Sequence, residues 1–136
     1  LVVGLCYDRW MNNRGDWEKG WYQPRPWEEK LYQRLGVKSW KSRMPTYEPE
    51  LFDPNRHSWQ EIIGAMCQSE LVHETNMVIS FFPLLASVWF GAFWAFFITS
   101  VLGAGYDLMF VMMQRYNRPR VVRQMKRQQR KAQKKT

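Results

Sequence analysis

An uncharged apolar block dominates the pattern of hydrophobic and polar positions. Residues 75–106 carry no Asp, Glu, Lys or Arg, and they follow a polar, Trp-rich half of the chain. An uncharged apolar stretch of roughly 18 or more residues predicts a membrane span. As one helix, residues 75–113 would measure about 58 Å, against a hydrocarbon core of about 30 Å. We therefore predict two crossings, with the break near Ser87–Ala92 and a kink at Pro83.

The pattern ahead of this block predicts two further helices. The first covers Pro26–Leu35, because proline suits the first helical position, acids follow in the first turn and Gly36 ends the pattern. The second begins at Ser58, where Glu61 stands three residues later as in a capping box, and runs through His73 toward the membrane.

The chain accordingly divides into four predicted segments. These are the end of an earlier transmembrane helix (1–6), a Trp-rich interfacial or cytoplasmic region (7–74), a transmembrane hairpin (75–113) and a basic C-terminal tail (114–136). The first is favoured over a signal-peptide remnant because no cleavage-site pattern is visible. Apolar positions after Pro119 predict an amphipathic helix lying on anionic headgroups. The predicted fold class is an all-α integral membrane protein, a transmembrane helical hairpin with amphipathic helices on its cytoplasmic side.

Half of the basic residues of the chain lie in the tail. Residues 115–136 hold ten of the 20 Lys and Arg and none of the 12 Asp and Glu, so they carry +10 while residues 1–114 carry −2. Such residues collect on the cytoplasmic flanks of membrane helices and attract anionic lipid. A hairpin places body and tail on that same side, whereas a single long tilted helix would separate them. We therefore predict that the protein resides in a bacterial plasma membrane or an organelle inner membrane, with lipids as partners. Binding to nucleic acid is not needed to explain the positive charge of the tail.

Glu70 and His73 form the first candidate site for chemistry. At i and i+3 of a helix they share a face, so the carboxylate can bind one ring nitrogen and leave the other as a base for an alcohol. The alternative is an ordinary interfacial pair. No metal is predicted, because a di-iron site needs a second E-x-x-H and only His57 and Asp107 could be recruited. No cofactor is predicted, and the two cysteines, which lack metal-ligand spacing, are predicted to be structural.

Polar residues beyond the tip of the predicted hairpin form a second candidate site. Asp107 lies within the second apolar segment, where burying a carboxylate in the membrane is costly, so such a residue is functional or paired. Alternatively, residues 103–105 end the membrane span and Asp107 is exposed to water. Four further residues could bind a headgroup or a phosphorylated carrier, since arginine forks suit phosphate. They are Arg115, Asn117, Arg118 and Arg120. Alternatively, these arginines only anchor the end of the helix on the cytoplasmic side of the membrane.

Three motifs, taken in order and spacing, resemble one family. They are L-G-V-K-S-W-K at residues 35–41, E-L-V-H at residues 70–73 and Q-R-Y-N-R-P-R at residues 114–120. They are similar to motifs of the glycosyl-4,4'-diaponeurosporenoate acyltransferases, small bacterial membrane enzymes of carotenoid (staphyloxanthin) biosynthesis. The similarity spans roughly residues 35–121, and the last string is its most specific part.

The resemblance implies transfer of a fatty acyl group to a sugar hydroxyl of a glycosylated carotenoid or similar lipid. It implies that His73 is the general base and Glu70 its orienting partner. It further implies a donor- or headgroup-binding site formed by Arg115, Asn117 and Arg118. The sequence departs from the family before Glu70, where no arginine is found, and near Asp107, where the family often has asparagine. The alternative function is a non-catalytic accessory subunit of a photosynthetic or respiratory type of membrane complex, with partner membrane proteins.

Overall fold

The computed structural model describes residues 1–45 and 49–135, which form helices and turns only. Six α-helices follow one another within these residues. They are α1 (Val2–Met11), α2 (Glu28–Arg34), α3 (Val37–Trp40), α4 (Trp59–Ile79), α5 (Pro83–Phe90) and α6 (Phe93–Gln133). Two short 3-10 turns, Lys41–Arg43 and Pro49–Phe52, lie between α3 and α4. The predicted all-helical class is therefore confirmed for the described residues.

An antiparallel pair of helices, α4 and α6, forms the centre of the fold. The Trp59 indole donates to Gln128 at 2.7 Å near one end, and the Gln114 amide donates to the Ser69 hydroxyl at 3.1 Å further along. A small core of Ile63, Val122 and Met125 lies between these two contacts. Helix α1 packs on α4, where its Tyr7 hydroxyl lies 2.9 Å from that of Thr75. The α4–α6 pair is thus the frame on which other segments are placed.

Capping chemistry explains where the helices begin and end. Ser58 and Glu61 form the predicted capping box at the start of α4. Gly36 follows α2 with a φ of 63°, the left-handed conformation that glycine adopts without steric cost. The predicted helix over Pro26–Leu35 is observed as α2, within two residues at its start. Helix α1 extends to Met11, beyond the six apolar residues predicted to be helical at the beginning of the chain.

The apolar block folds back on itself at the predicted place. Helix α5 ends at Phe90 and α6 begins at Phe93. Gly91 and Ala92 between them have positive φ, 69° and 53°. Pro83 does not kink a continuous helix; it begins α5 after a break that follows α4, which suits its missing N–H. Within the described residues, α4 with α5 and then α6 are long and apolar enough to cross a membrane. Large apolar side chains near the tip are exposed, among them Val88, Trp89, Phe90 and Trp94.

Helix α6 runs without interruption from the hairpin tip into the basic tail. It is 41 residues long and contains Pro119, so the helix predicted after this proline is observed as the last part of α6, and its placement on anionic headgroups stays a prediction. The apolar positions expected to enter the headgroup layer, Val122 and Met125, instead pack against Ile63 of α4. Proline costs the helix one backbone hydrogen bond, and burial of these side chains against α4 offsets that loss.

A close backbone approach joins α4 to the loop after α1, and it predicts a strong effect for one substitution. Gly64→Ala is expected to lower the free energy of unfolding by about 1–3 kcal/mol, because its Cβ would overlap the carbonyl oxygen of Asn13. Thermal unfolding in detergent measures the change. Gly4→Ala is the control, since a Cβ there meets nothing within 4 Å. Equal stability of both variants would contradict the close approach.

Candidate active site

A histidine–aspartate pair bridges α4 and α6, with His73 two residues before the apolar block and Asp107 one residue after it. Nδ1 of His73 lies 2.6 Å from Oδ1 of Asp107, and the two side chains are 21% and 16% exposed. The His73 ring stacks on Phe110 with 4.3 Å between the ring centroids and 5° between the planes. The prediction that Glu70 orients His73 is wrong, because the carboxylate that contacts the imidazole is that of Asp107. The sequence had singled out both residues but had not paired them.

The length of α6 places this pair relative to the membrane. Counted from Ala92 at about 1.5 Å per residue, Asp107 lies about 22 Å and Arg115 about 34 Å from the hairpin tip. With the tip at one edge of a core about 30 Å thick, Arg115 reaches the opposite edge. His73 and Asp107 then lie a short distance inside the apolar layer on the side of the polar body. Helix α6 continues through residues 103–105, so Gly103 and Gly105 do not end the helix.

A buried cluster of ion pairs lies one to two helical turns beyond His73. Two acids, Glu28 and Glu70, face two arginines, Arg115 and Arg118. Arg115 reaches Glu28 and Glu70 at 2.6 Å each, and Arg118 pairs with the second oxygen of Glu70. The Glu70 side chain is fully buried, so its charge depends on both guanidinium groups. The four charges cancel inside the protein.

The same cluster fastens the Trp-rich segment to the hairpin. Arg115 donates to the carbonyl of Trp21 at 2.9 Å, and Arg118 donates to that of Tyr22 at 2.6 Å. Burial raises the pKa of Tyr22 above its usual value, with Glu70 and other nearby groups adding to the shift. Sequence reasoning took Glu28 only for a helix-start acid and missed its pairing with Arg115. No local signal could reveal that partner, since the two residues lie 87 positions apart.

A tyrosine on α2 contacts the same acid. The Tyr32 hydroxyl donates to Glu28 at 3.4 Å. Burial, reinforced by the negative charge of Glu28, raises the pKa of Tyr32 to about 12. The prediction that Arg115 and Arg118 bind a headgroup stays a prediction; in the structure their forks serve internal ion pairs. These pairs fix the position of α2 beside the two central helices.

The other two predicted headgroup ligands face a different part of the molecule. Asn117 accepts a hydrogen bond from the Lys41 ammonium at 2.6 Å. The Arg120 guanidinium lies 3.6 Å from the centre of the Tyr116 ring. The structure therefore divides the Q-R-Y-N-R-P-R string between two sites, a neutral ion-pair cluster and a group of cations beside Lys41.

Metal-ligating residues are not gathered anywhere in the part of the chain that the structure describes, where no group of three or more His, Cys, Asp and Glu is found. His57 lies at the start of α4, 3.7 Å from Glu61. Cys67 is buried in α4 and Cys6 is exposed on α1. The expectation of a metal-free, cofactor-free protein stays a prediction.

Fold and site together define an all-helical protein with two helices apolar enough to cross a membrane and a histidine–aspartate pair between α4 and α6. Comparison with protein-family models gives a match over residues 18–127 to the glycosyl-4,4'-diaponeurosporenoate acyltransferase family. The match covers most of the chain, and the protein therefore belongs to this family of acyltransferases of carotenoid biosynthesis. Comparisons with curated proteins and with solved structures gave no match.

Proposed function

We propose that this protein transfers a fatty acyl group to a hydroxyl of a glycosylated carotenoid or a similar lipid, with His73 as the general base. The observation that carries the proposal is the contact of 2.6 Å between His73 and Asp107 from two different helices. Family membership supports the reaction class. A carboxylate within an apolar layer is costly, and pairing with a functional histidine is a physical reason to keep it there.

The chemistry follows from the orientation of the imidazole. Asp107 accepts a hydrogen bond from Nδ1–H, so Nε2 carries the lone pair, and no described residue hydrogen-bonds to that nitrogen. Nε2 of His73 takes the proton of the attacking hydroxyl, and the oxygen bonds to the carbonyl carbon of an acyl thioester or ester. The tetrahedral intermediate then expels the thiolate or alkoxide, which takes the proton from the imidazolium.

The depth of the pair suits an amphipathic acceptor. A sugar group at the membrane surface would reach His73 while its long apolar chain stays in the hydrocarbon layer. Exposed side chains of α6, including Phe97, Val101 and Leu102, offer an apolar face for that chain. The excess of Lys and Arg after residue 114 supports the cytoplasmic side for the tail and for the entrance to the site.

The test is formation of an acyl ester. Membranes containing the full chain, given a glycosylated carotenoid and an isotope-labelled acyl donor, are expected to yield the labelled acyl glycoside by mass spectrometry. Membranes of the same host without the chain are the control. If the folded protein yields no ester with any acyl thioester or phospholipid donor, the proposal fails. In that case stoichiometric co-purification with other membrane proteins would support the accessory-subunit alternative.

A further inference from the structure

A cavity outside the histidine–aspartate pair opens between α4, α6 and the two 3-10 turns. Its volume is about 500 Å³, within the usual range of about 300–1,000 Å³ for ligand sites. Lys41, Asn117 and Arg120 line one part of it, and Met66 and Met113 line another. We call it the Lys41 cavity. It therefore joins a cationic wall to an apolar one.

The two cations of the Lys41 cavity have no carboxylate partner among the described residues. In the described parts of the chain, neither Lys41 nor Arg120 forms an ion pair, whereas Arg115 and Arg118 are paired with buried acids. Burial, together with the positive charges of Arg120 and Lys38, lowers the pKa of the Lys41 ammonium. Like charges held this way repel each other in a partly buried site, and an anion bound between them would relieve the repulsion.

Two neighbouring residues hold both cations in place. The Tyr116 ring lies 3.6 Å from the Arg120 guanidinium carbon and 4.9 Å from the Lys41 nitrogen, so one ring carries both by cation–π contact. Asn117 fixes the Lys41 nitrogen further through the 2.6 Å hydrogen bond. The remaining donors of a guanidinium and an ammonium in this arrangement suit a phosphate group, which accepts from both.

His73 lies further along the same two helices, α4 and α6, that line the Lys41 cavity. Met66 and His73 are seven residues apart on α4, and Gln114 and Asp107 are seven apart on α6. Residues nearly two turns apart share a helix face and lie about 10 Å apart along it. A ligand with a phosphate at the cationic wall could therefore extend an apolar or thioester arm along this face to the imidazole.

We infer that the Lys41 cavity binds the phosphate of an amphipathic acyl donor through Lys41 and Arg120, and directs its acyl group to His73. The role as donor site rests on the proposed function; the binding of phosphate does not. The phosphate can belong to a soluble acyl thioester or to a phospholipid, because both place a phosphate beside an acyl chain. The experiment separates the two sources.

Binding is measured with two probes on the purified full chain in neutral detergent. Palmitoyl-coenzyme A carries phosphates, and palmitoyl-N-acetylcysteamine is the same acyl thioester without them. Lys41→Gln combined with Arg120→Gln is expected to weaken binding of the first probe at least about tenfold, the loss for one or two charge-assisted hydrogen bonds. Binding of the second probe should stay unchanged.

The matched control is Arg123→Gln combined with Arg127→Gln. It removes two exposed charges of α6, the helix of Arg120, that lie outside the cavity. It should bind both probes as the wild type does. Ser42→Asp, at the exposed rim, adds a negative charge without removing a buried group and should weaken only the first probe. Unchanged binding in the Lys41/Arg120 variant, or equal weakening of both probes, would overturn the assignment.

Anionic phosphatidylglycerol added to the micelles identifies the source of the phosphate. If phosphatidylglycerol abolishes the difference in binding between palmitoyl-coenzyme A and palmitoyl-N-acetylcysteamine, the cavity binds a lipid phosphate. If the difference in binding persists, the cavity binds the phosphate of the soluble thioester. Failure of the proposed function looks different: the probes bind as expected but no acyl ester forms. Conversely, the Lys41/Arg120 variant could form the ester with an unchanged KM for palmitoyl-coenzyme A. That result would overturn the donor-site assignment but support the proposed reaction.

Discussion

Replacing His73 by alanine should lower the rate of acyl transfer by about 10²–10⁴-fold, the usual contribution of a general base. The protein should still fold in the membrane, because the ring is partly exposed and the ion-pair cluster beside it is untouched. The measurement is the initial rate of ester formation at equal amounts of inserted protein. His57→Ala is the control: it removes the other histidine of the chain, which lies at the far end of α4 against Glu61.

A substitution of Asp107 tests, in the same assay, whether this carboxylate supports His73 as a base. Asp107→Asn keeps the size of the side chain but removes the negative charge that holds the proton on Nδ1 and stabilises the imidazolium. We expect most of the loss seen with His73→Ala, with little change in KM for the donor. A variant of Asp107 as active as wild type would show that His73 acts without this partner. Full activity of His73→Ala would remove the histidine from the mechanism altogether.

Glu70→Gln should be the most destabilising change of the ion-pair cluster. It leaves Arg118, which is 3% exposed, without a carboxylate partner in the described part of the chain. Removing one partner of a buried pair costs about 3–5 kcal/mol, because the remaining charge stays desolvated. We expect a lower midpoint of thermal unfolding in detergent and release of the segment around Tyr22, which protease sensitivity would detect.

An exposed ion pair provides the control for this prediction. Glu50 and Arg56 lie 2.5 Å apart with side chains 71% and 58% exposed. Glu50→Gln should change stability by no more than about 1 kcal/mol, since water screens such a pair. Combining Glu70→Gln with Arg118→Met should restore part of the lost stability, because the unpaired charge is gone. A double variant that loses the full sum of both single effects would contradict direct coupling.

The sequence predicted local features of the fold well and long-range pairings poorly. The hairpin break near Gly91 and the capping box at Ser58 follow from nearby residues, and both are observed. The partner of His73 was predicted on its own helix, because a sequence shows i, i+3 spacing but not the register between two helices. That register is set by packing between α4 and α6, and it selects Asp107, which lies 34 residues away.

Pro119 and Glu28 illustrate the same limit. A proline inside a helical pattern usually marks an end, yet tertiary contacts of Val122 and Met125 carry α6 through it. An acid in the first turn of a helix usually serves the helix dipole, yet Glu28 turns inward to Arg115. In both cases a contact distant in sequence outweighs the local preference. The predicted hairpin nevertheless placed the polar body and the basic tail at the same end, where Arg115 contacts Glu28.

Because α6 is one continuous helix, packing near one end affects the position of residues far along it. Val122 and Met125 pack on Ile63 about 22 Å along α6 from Asp107, and this packing is one of the contacts that set the register of α6 against α4. Changing the bulk of those three side chains would move the carboxylate toward or away from the imidazole without touching either. Packing near the basic end of α6 thus influences the geometry of the His73–Asp107 pair from a distance.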